Sequence, residues 1–293
     1  MSQHPICIFG EVLFDIFPGG TRVLGGAPFN VAWHLQAFGM NPLLISRVGD
    51  DPMGRQIRQK MVDWGMNTDG LQLDPAHPTG EVDIALTNGE PSYNILTDRA
   101  YDHIDGDAIP PVKPQLLYHG SLALRNRVSQ QALAQLPKSD DCRVFLDVNL
   151  RTPWWRRDEV LERVSHAHWV KLNEYELEEL SDGSDKPEKR AIRFLRDYSL
   201  QGLVVTCGAG GAFALGEDGR ITVITPPPTL TVVDTVGAGD AFASILILGL
   251  YHGWPLQQTL MYAQQFASQL VGRRGATVSD PDFYRAFATR WAL

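Results

Sequence analysis

The chain has 293 residues, 44% apolar and 20% charged, and 26 basic against 34 acidic side chains leave a net charge of −8. This composition excludes a disordered chain and permits a substantial core. An acidic balance also weighs against general nucleic-acid binding, which needs clustered Lys and Arg, but not against one small anion held by backbone amides. Cys7, Cys142 and Cys207 are odd in number, far apart and without metal-ligand spacing, which predicts reduced thiols in a cytoplasmic protein. The eight histidines show no HxxxH or similar pairing, so no transition-metal site is expected. The start, Met1 to Pro5, lacks the basic region of a signal peptide, and the longest apolar stretch, Ala241 to Tyr251, is far short of the ~20 residues of a membrane span.

Short apolar runs alternate with helical patterns along the chain. Ile6 to Gly10 opens as a strand, and Asn30 to Phe38 carries Val31, Leu35 and Phe38 at helical spacing before Gly39. Leu43-Leu44-Ile45 reads as the next strand, with a helix after Pro52. Leu116 to Tyr118, Val144 to Leu146, His168 to Val170 and Leu203 to Val205 repeat the pattern. Strands apolar on both faces with helices between them predict a parallel α/β sheet. Two stretches depart from this rhythm. Thr79 to Leu96 alternates Val82, Ile84 and Leu86 with polar residues and contains Asn88-Gly89, a hairpin signal; Phe14 to Leu24 surrounds Pro18-Gly19-Gly20. Two such ribbons would form either a lid over a ligand crevice or a pair of edge hairpins.

Thr229 to Val233 reads as a strand and Ala241 to Leu250 as an apolar helix, with Asp234-Thr235-Val236-Gly237-Ala238-Gly239-Asp240 between them. Small residues at 237 to 239 let backbone N–H groups converge at a helix N-terminus, where the dipole also favours an anion. A carboxylate at Asp240 is placed to take a proton from an attacking hydroxyl; it would also serve as a plain N-cap. No Gly-Lys-Ser/Thr follows, so this is no Walker loop, and Phe242 takes the third glycine's place in a dinucleotide fingerprint.

DTVGAGDAF, Asp234 to Phe242, resembles the C-terminal signature of the ribokinase-like (PfkB) carbohydrate kinases. Gly25 to Ala32 with Arg47 to Gly54 is similar to the family's first signature, and Asn173-Glu174-Tyr175-Glu176 to its N-x-x-E element. The resemblance runs from Gly10 to about Ser279 and implies one kinase domain over 1–293: a three-layer α/β/α body with a small antiparallel β-sheet lid built from ribbons near 12–25 and 79–100. It implies Asp240 as catalytic base and the amides from Val236 through Gly237, Ala238 and Gly239 as the hole for the transferring phosphoryl group. Asp15, Gly26 and Asn30 match sugar-binding positions. Asn173 and Glu176 would organise Mg²⁺ and its waters, and Thr206 and Gly208 begin the ATP-binding loop. Asp234, Val236, Leu270, Arg273, Gly275 and Ser279 match a monovalent-cation site, which implies K⁺. The bland readings are a turn residue for Asp15, a helix cap for Asn30, dipole partners for Asn173 and Glu176, and an exposed side chain for Lys171.

Within the family, Gly10 to Asp15, Gly25 to Asn30, Asp147 to Arg151 and Tyr101-Asp102 resemble the fructokinase branch, with Arg151 near transferred phosphate or in a structural salt bridge. Val148 stands where proline is frequent, and Tyr118 to Ala123 lacks the carboxylate of ribokinases. The expectation is an ATP-dependent kinase for fructose. Another ketose, 2-keto-3-deoxygluconate, a nucleoside or a non-catalytic sensor remain alternatives. A homodimer through the lid is the further implication.

Overall fold

The computed structural model describes residues 4–87, 90–137, 141–227 and 232–293. Its residues gather into two compact units, one of 1–114, 123–139 and 277–293, the other of 115–122 and 140–276.

The first unit contains β1 (Ile6–Phe9), β2 (Leu13–Ile16), β3 (Arg22–Gly25), α1 (Ala27–Ala37), β4 (Leu43–Gly49), α2 (Pro52–Asp63), β5 (Leu71–Asp74), β6 (Gly80–Thr87), β7 (Glu90–Ile95) and α3 (Arg127–Gln135), and closes with a helix over Pro281–Trp291. β4 pairs in parallel with β1, Cys7 opposite Leu43, and with β5, Ser46 opposite Leu71. All of β1 and Leu43 to Ile45 are buried, hence their unbroken apolar sequence. α1 starts three residues earlier than its apolar spacing suggests. Gly26 takes φ +105° and Pro28 falls in the first helical turn, so the chain enters the helix there. Asn30 therefore lies one turn inside the helix, its N–H donating to Gly26 O at 2.9 Å, and does not cap it.

Both predicted ribbons are present. β2 and β3 pair antiparallel, as do β6 and β7, with Val82 opposite Ile95. Val82 and Ile84 are buried while Asp83 and Ala85 are exposed, the period-two pattern of a one-faced sheet. The Asn88-Gly89 turn lies outside the described residues. A parallel pairing of β2 with β6, Leu13 opposite Gly80, joins the ribbons into one four-stranded sheet of order β3-β2-β6-β7. They are not separate edge hairpins.

The second unit contains β8 (Leu116–His119), β9 (Arg143–Asp147), α4 (Arg157–Ser165), β10 (Trp169–Asn173), α5 (Glu174–Leu180), α6 (Pro187–Asp197), β11 (Gly202–Thr206), β12 (Ala212–Gly216), β13 (Ile221–Ile224), α7 (Ala238–His252) and α8 (Leu256–Leu270). β8 to β11 pair in parallel. β12 and β13 continue the sheet antiparallel, so its edge is a hairpin where a parallel sheet was expected. Val144, Leu146, Val170, Leu172, Leu203 and Val205 from three parallel strands form a core with Val160, Val164, Leu177 and Phe194 from α4, α5 and α6. Of the strand predicted over Thr229 to Val233, residues 229–231 lie outside the described residues and Val232 and Val233 are irregular. Val233 N and Asp234 N both donate to Val271 O instead, at 2.8 and 3.1 Å. Among the described residues no helix is long and apolar enough to cross a membrane.

The register of the parallel strands decides what meets at their carboxyl ends, the edge where α/β sheets bind ligands. Lys171 on β10 stands opposite Asp147 on β9, and Asn173 opposite Thr206 on β11.

Candidate active site

Helix α7 begins as the glycine-rich loop suggested, with one difference. Gly237 is its N-cap, in the left-handed region at φ +78°, and Asp240 is the third helical residue, so Asp240 does not cap the helix. A side chain at 237 would collide with Ala276, so the backbone conformation and the close approach both require glycine here. The opening amides of a helix have no acceptor within it, and the dipole adds partial positive charge, so the turn at Gly237, Ala238 and Gly239 suits an anion. Two amides of the predicted set have acceptors: Val236 N–H donates to Asp234 Oδ1 at 3.0 Å and Ala238 N–H to Thr235 O at 3.3 Å.

Beside this turn lies a buried ion pair. Lys171 Nζ is 2.8 and 2.9 Å from the two oxygens of Asp147, and both side chains are under a tenth exposed. Lys171 is thus not the exposed lysine its polar surroundings suggested. A β-carbon at Gly239 would stand 3.6 Å from Nζ, an ordinary contact distance, so the ammonium lies beside the start of α7. Burial opposes the charge of Lys171, but Asp147, Glu176 and Asp240 outweigh it and hold the ammonium above the ordinary lysine value. Three carboxylates therefore act on one cation, an excess of negative charge that a bound divalent cation would offset.

Asn173 and Glu176 form a capping box at the start of α5: Asn173 Oδ1 accepts from Glu176 N at 2.8 Å and Glu176 Oε2 from Asn173 N at 2.9 Å. Glu176 Oε1 also accepts from Leu150 N at 2.7 Å, which ties down the loop after β9. Burial raises the Glu176 carboxyl above its usual range, against the Asn173 amide and Lys171, which lower it. Arg151, on the same loop, is exposed, and its guanidinium reaches only the neighbouring Leu150 carbonyl, at 3.2 Å, among its described hydrogen bonds.

Thr206 and Gly208 line a cleft of about 500 Å³ together with Ala238, Gly239, Phe242 and Val271. The structure thus brings the predicted nucleotide loop and the predicted anion turn to one cavity. Three members of the predicted cation site also meet, since Asp234 accepts from Val236 N and, through Oδ2, from Gly275 N at 2.9 Å. The Leu270 carbonyl accepts from Arg273 N at 2.8 Å, and Ser279 belongs to the first unit.

In the first unit, Asp15 is half-buried on β2 and Asn30 fully buried in α1. A β-carbon at Gly26 would stand 2.7 Å from Glu11 O, so the backbone there passes too close for any side chain. Two groups escaped the sequence reading. Lys171 pairs with Asp147 only across strands, which no local pattern shows. Arg125 Nε and Nη2 grip the Asp102 carboxylate at 2.7 and 2.8 Å, a contact across 23 residues that no local pattern shows.

Residues 16–282 match the model of the pfkB family carbohydrate kinases. A fructokinase of Klebsiella pneumoniae is 31% identical over 94% of this chain and 96% of its own length. A Vibrio cholerae fructokinase double mutant, solved with fructose, ADP and potassium ion, is similar with a TM-score of 0.80 at 25% identity, covering 97% of this chain and 98% of that one. The aminoimidazole riboside kinase of Salmonella enterica, solved with aminoimidazole riboside and an ATP analogue, has a TM-score of 0.81 at 25% identity, covering 96% and 99%. The chain belongs to the pfkB family of carbohydrate kinases. It has their three-layer α/β/α fold and is a sugar kinase of the fructokinase branch.

Proposed function

We propose that this kinase transfers the γ-phosphoryl group of ATP to a primary hydroxyl of fructose. The observation that carries the phosphoryl half is the meeting of the cleft lined by Thr206 and Gly208 with the amide turn of α7 beside Lys171 and Asp147. The nucleotide occupies that cleft with its phosphates toward Ala238 and Gly239. Asp240 takes the hydroxyl proton, and the amides of Gly237 and Gly239 stabilise charge on the phosphoryl oxygens. Phosphoryl transfer has a loose transition state, so positioning and charge stabilisation supply most of the catalysis. Mg²⁺ bound with ATP would neutralise phosphate charge. Both Glu176 oxygens already accept backbone hydrogen bonds, which suits a hydrated ion held through water more than direct ligation. Asp234, with oxygen donors around Val236 and Gly275, is proposed for K⁺, an ion present in the Vibrio fructokinase structure.

Asp15, Gly26 and Asn30 are proposed to bind sugar hydroxyls, with Arg151 near transferred phosphate. The four-stranded sheet acts as a lid that excludes water, and the chain works as one cytoplasmic kinase domain. Exposed Tyr93 on β7 supports pairing of two lids in a homodimer, which light scattering would test. Fructose rests on the Klebsiella and Vibrio relatives. Aminoimidazole riboside is the second reading, because the riboside kinase matches the fold equally well. A coupled ADP-release assay across fructose, ribose, glucose, 2-keto-3-deoxygluconate, adenosine and aminoimidazole riboside, with Asp240→Asn as blank and K⁺ exchanged for Na⁺, separates these. Turnover on fructose alone supports the proposal; turnover on the riboside alone replaces it.

A further inference from the structure

Away from every residue assigned above, the first unit holds two histidines face to face. His77, between β5 and β6, and His103, beyond β7, have ring centroids 3.7 Å apart and planes within 10°. Their Nε2 atoms converge on one carboxylate: Asp98 Oδ1 is 2.9 Å from that of His103 and 3.7 Å from that of His77. One ligand atom from each of the three lies within 4.8 Å of the others.

The surroundings orient this set. Asp74 Oδ2 is 2.9 Å from His77 Nδ1, and Asp74 is itself held by the Ala76 and His77 amides and by Arg47 Nε at 3.0 Å. On His77 that carboxylate keeps the proton at Nδ1 and leaves the Nε2 lone pair outward, the tautomer a metal needs. The proton shared by His103 Nε2 and Asp98 Oδ1 at 2.9 Å would be released to solvent as the ion binds. Arg47 also donates to His103 O at 2.7 Å, so one guanidinium braces both histidine segments. The rings are 27% and 19% exposed and Asp98 73%, so solvent reaches the ligand atoms. A depression of about 440 Å³ opens beside both rings.

We propose that His77, His103 and Asp98 bind a late first-row divalent ion, Zn²⁺ by preference. Two imidazoles and a carboxylate form a three-ligand set for tetrahedral Zn²⁺ with water in the fourth position, whereas Mg²⁺ and Ca²⁺ favour all-oxygen sites. Parallel rings cannot aim both lone pairs at one point, so binding hinges them apart about their Cβ–Cγ bonds and the exposed Asp98 follows. The sequence conceals the site because its ligands are spread over 77, 98 and 103 with no helical spacing, brought together by the β6–β7 hairpin. One ion would cross-link the two ends of that hairpin.

The test is titration of metal-stripped full-length protein with Zn²⁺ against a chromophoric chelator, with no turnover measured, so its outcome is independent of the substrate. The expected result is one equivalent bound in the wild type, and at least about tenfold weaker binding in both Asp98→Asn and His77→Gln/His103→Gln. Zn²⁺ should raise the wild-type melting temperature more than that of Asp98→Asn, an exposed substitution that preserves the fold, while Mg²⁺ should not discriminate. Equal stoichiometry and affinity in the wild type and Asp98→Asn, or no bound equivalent in the wild type, would overturn the site and leave a structural histidine pair.

Discussion

Among the described residues each unit contains a tight ion pair with both side chains under a tenth exposed, and the two pairs differ in what surrounds them. In the first unit Arg125 spends its guanidinium on protein: Asp102 at 2.7 and 2.8 Å, the Leu96 carbonyl at 2.6 Å and the Tyr101 hydroxyl at 2.9 Å, with its charge 5.2 Å over the Tyr101 ring. In the second unit Lys171 grips Asp147 alone among its described hydrogen bonds, and the fields of Glu176 and Asp240 also fall on it. Burial is the same in both pairs, so burial does not separate an anchor from a site. The separating features are the amide turn next to Lys171 and the excess of carboxylates, which a divalent cation would offset.

The largest effect should come from the residue that faces the chemistry. Asp240→Asn is expected to lower kcat by about 10²–10⁴-fold, the range for loss of a general base, with ATP and sugar affinities largely kept. Steady-state kinetics beside direct ligand titration checks this; near-normal kcat would remove Asp240 from the reaction.

The comparison itself is sharpened by cutting both pairs. Lys171→Met and Arg125→Met each strand a buried carboxylate and should each lose about 3–5 kcal/mol in denaturant unfolding. Only Lys171→Met should also raise the ATP KM, and Lys171→Met/Asp147→Leu should recover most of the stability without recovering that KM. If Arg125→Met shifts the ATP KM as strongly, the distinction between anchor and site fails.

A smaller effect concerns acid. The Asp51 carboxylate is penalised by burial, yet the Thr79 amide, the Gly54 amide and the Thr79 hydroxyl together hold it below the usual value of 3.8. A carboxyl depressed on folding contributes stability above its unfolded value and loses it as pH falls through the folded one. Asp51 is the N-cap of α2, so Asp51→Ala should cost about 0.5–2 kcal/mol at neutral pH, the usual worth of a helix cap, and flatten the fall in stability below pH 3.8. Parallel acid-unfolding curves for the two proteins would contradict that account.

The smallest effect is chemical. Burial pushes the Cys207 thiol up to about 11, with Glu174 adding to the shift. At pH 8 little thiolate forms, so iodoacetamide should label Cys207 far more slowly than a free thiol, with the rate climbing toward pH 11. Mass spectrometry of the labelled peptide reads this directly.

Much of the site was legible because its chemistry is local. The turn at Gly237 to Asp240 needs small residues in consecutive positions, and a string of that kind survives any change of surroundings. Asn173 and Glu176 are three apart because a capping box joins positions three apart. Lys171 was misread because a lysine next to Asn173 and Glu174 looks solvated until β9 places Asp147 opposite it. Asn30 was misplaced relative to its helix because the start depends on the positive φ of Gly26, which the apolar spacing does not record. The antiparallel β12–β13 edge escaped for a similar reason, since an apolar run such as Ala212 to Leu215 fits either pairing direction.

The sequence by itself determined the alternation of buried strands and helices, the amide turn with Asp240, the two ribbons and the family. Each of these follows from hydrophobic periodicity or backbone geometry within a few consecutive residues. Only the tertiary structure decided that the ribbons fuse through β2 and β6, that Lys171 is a buried partner of Asp147, that Val236 gives its amide to Asp234, and that His77, Asp98 and His103 converge. Those features rest on contacts between residues distant along the chain, and strand register, which sets such contacts, is fixed by packing of the whole core rather than by any one segment.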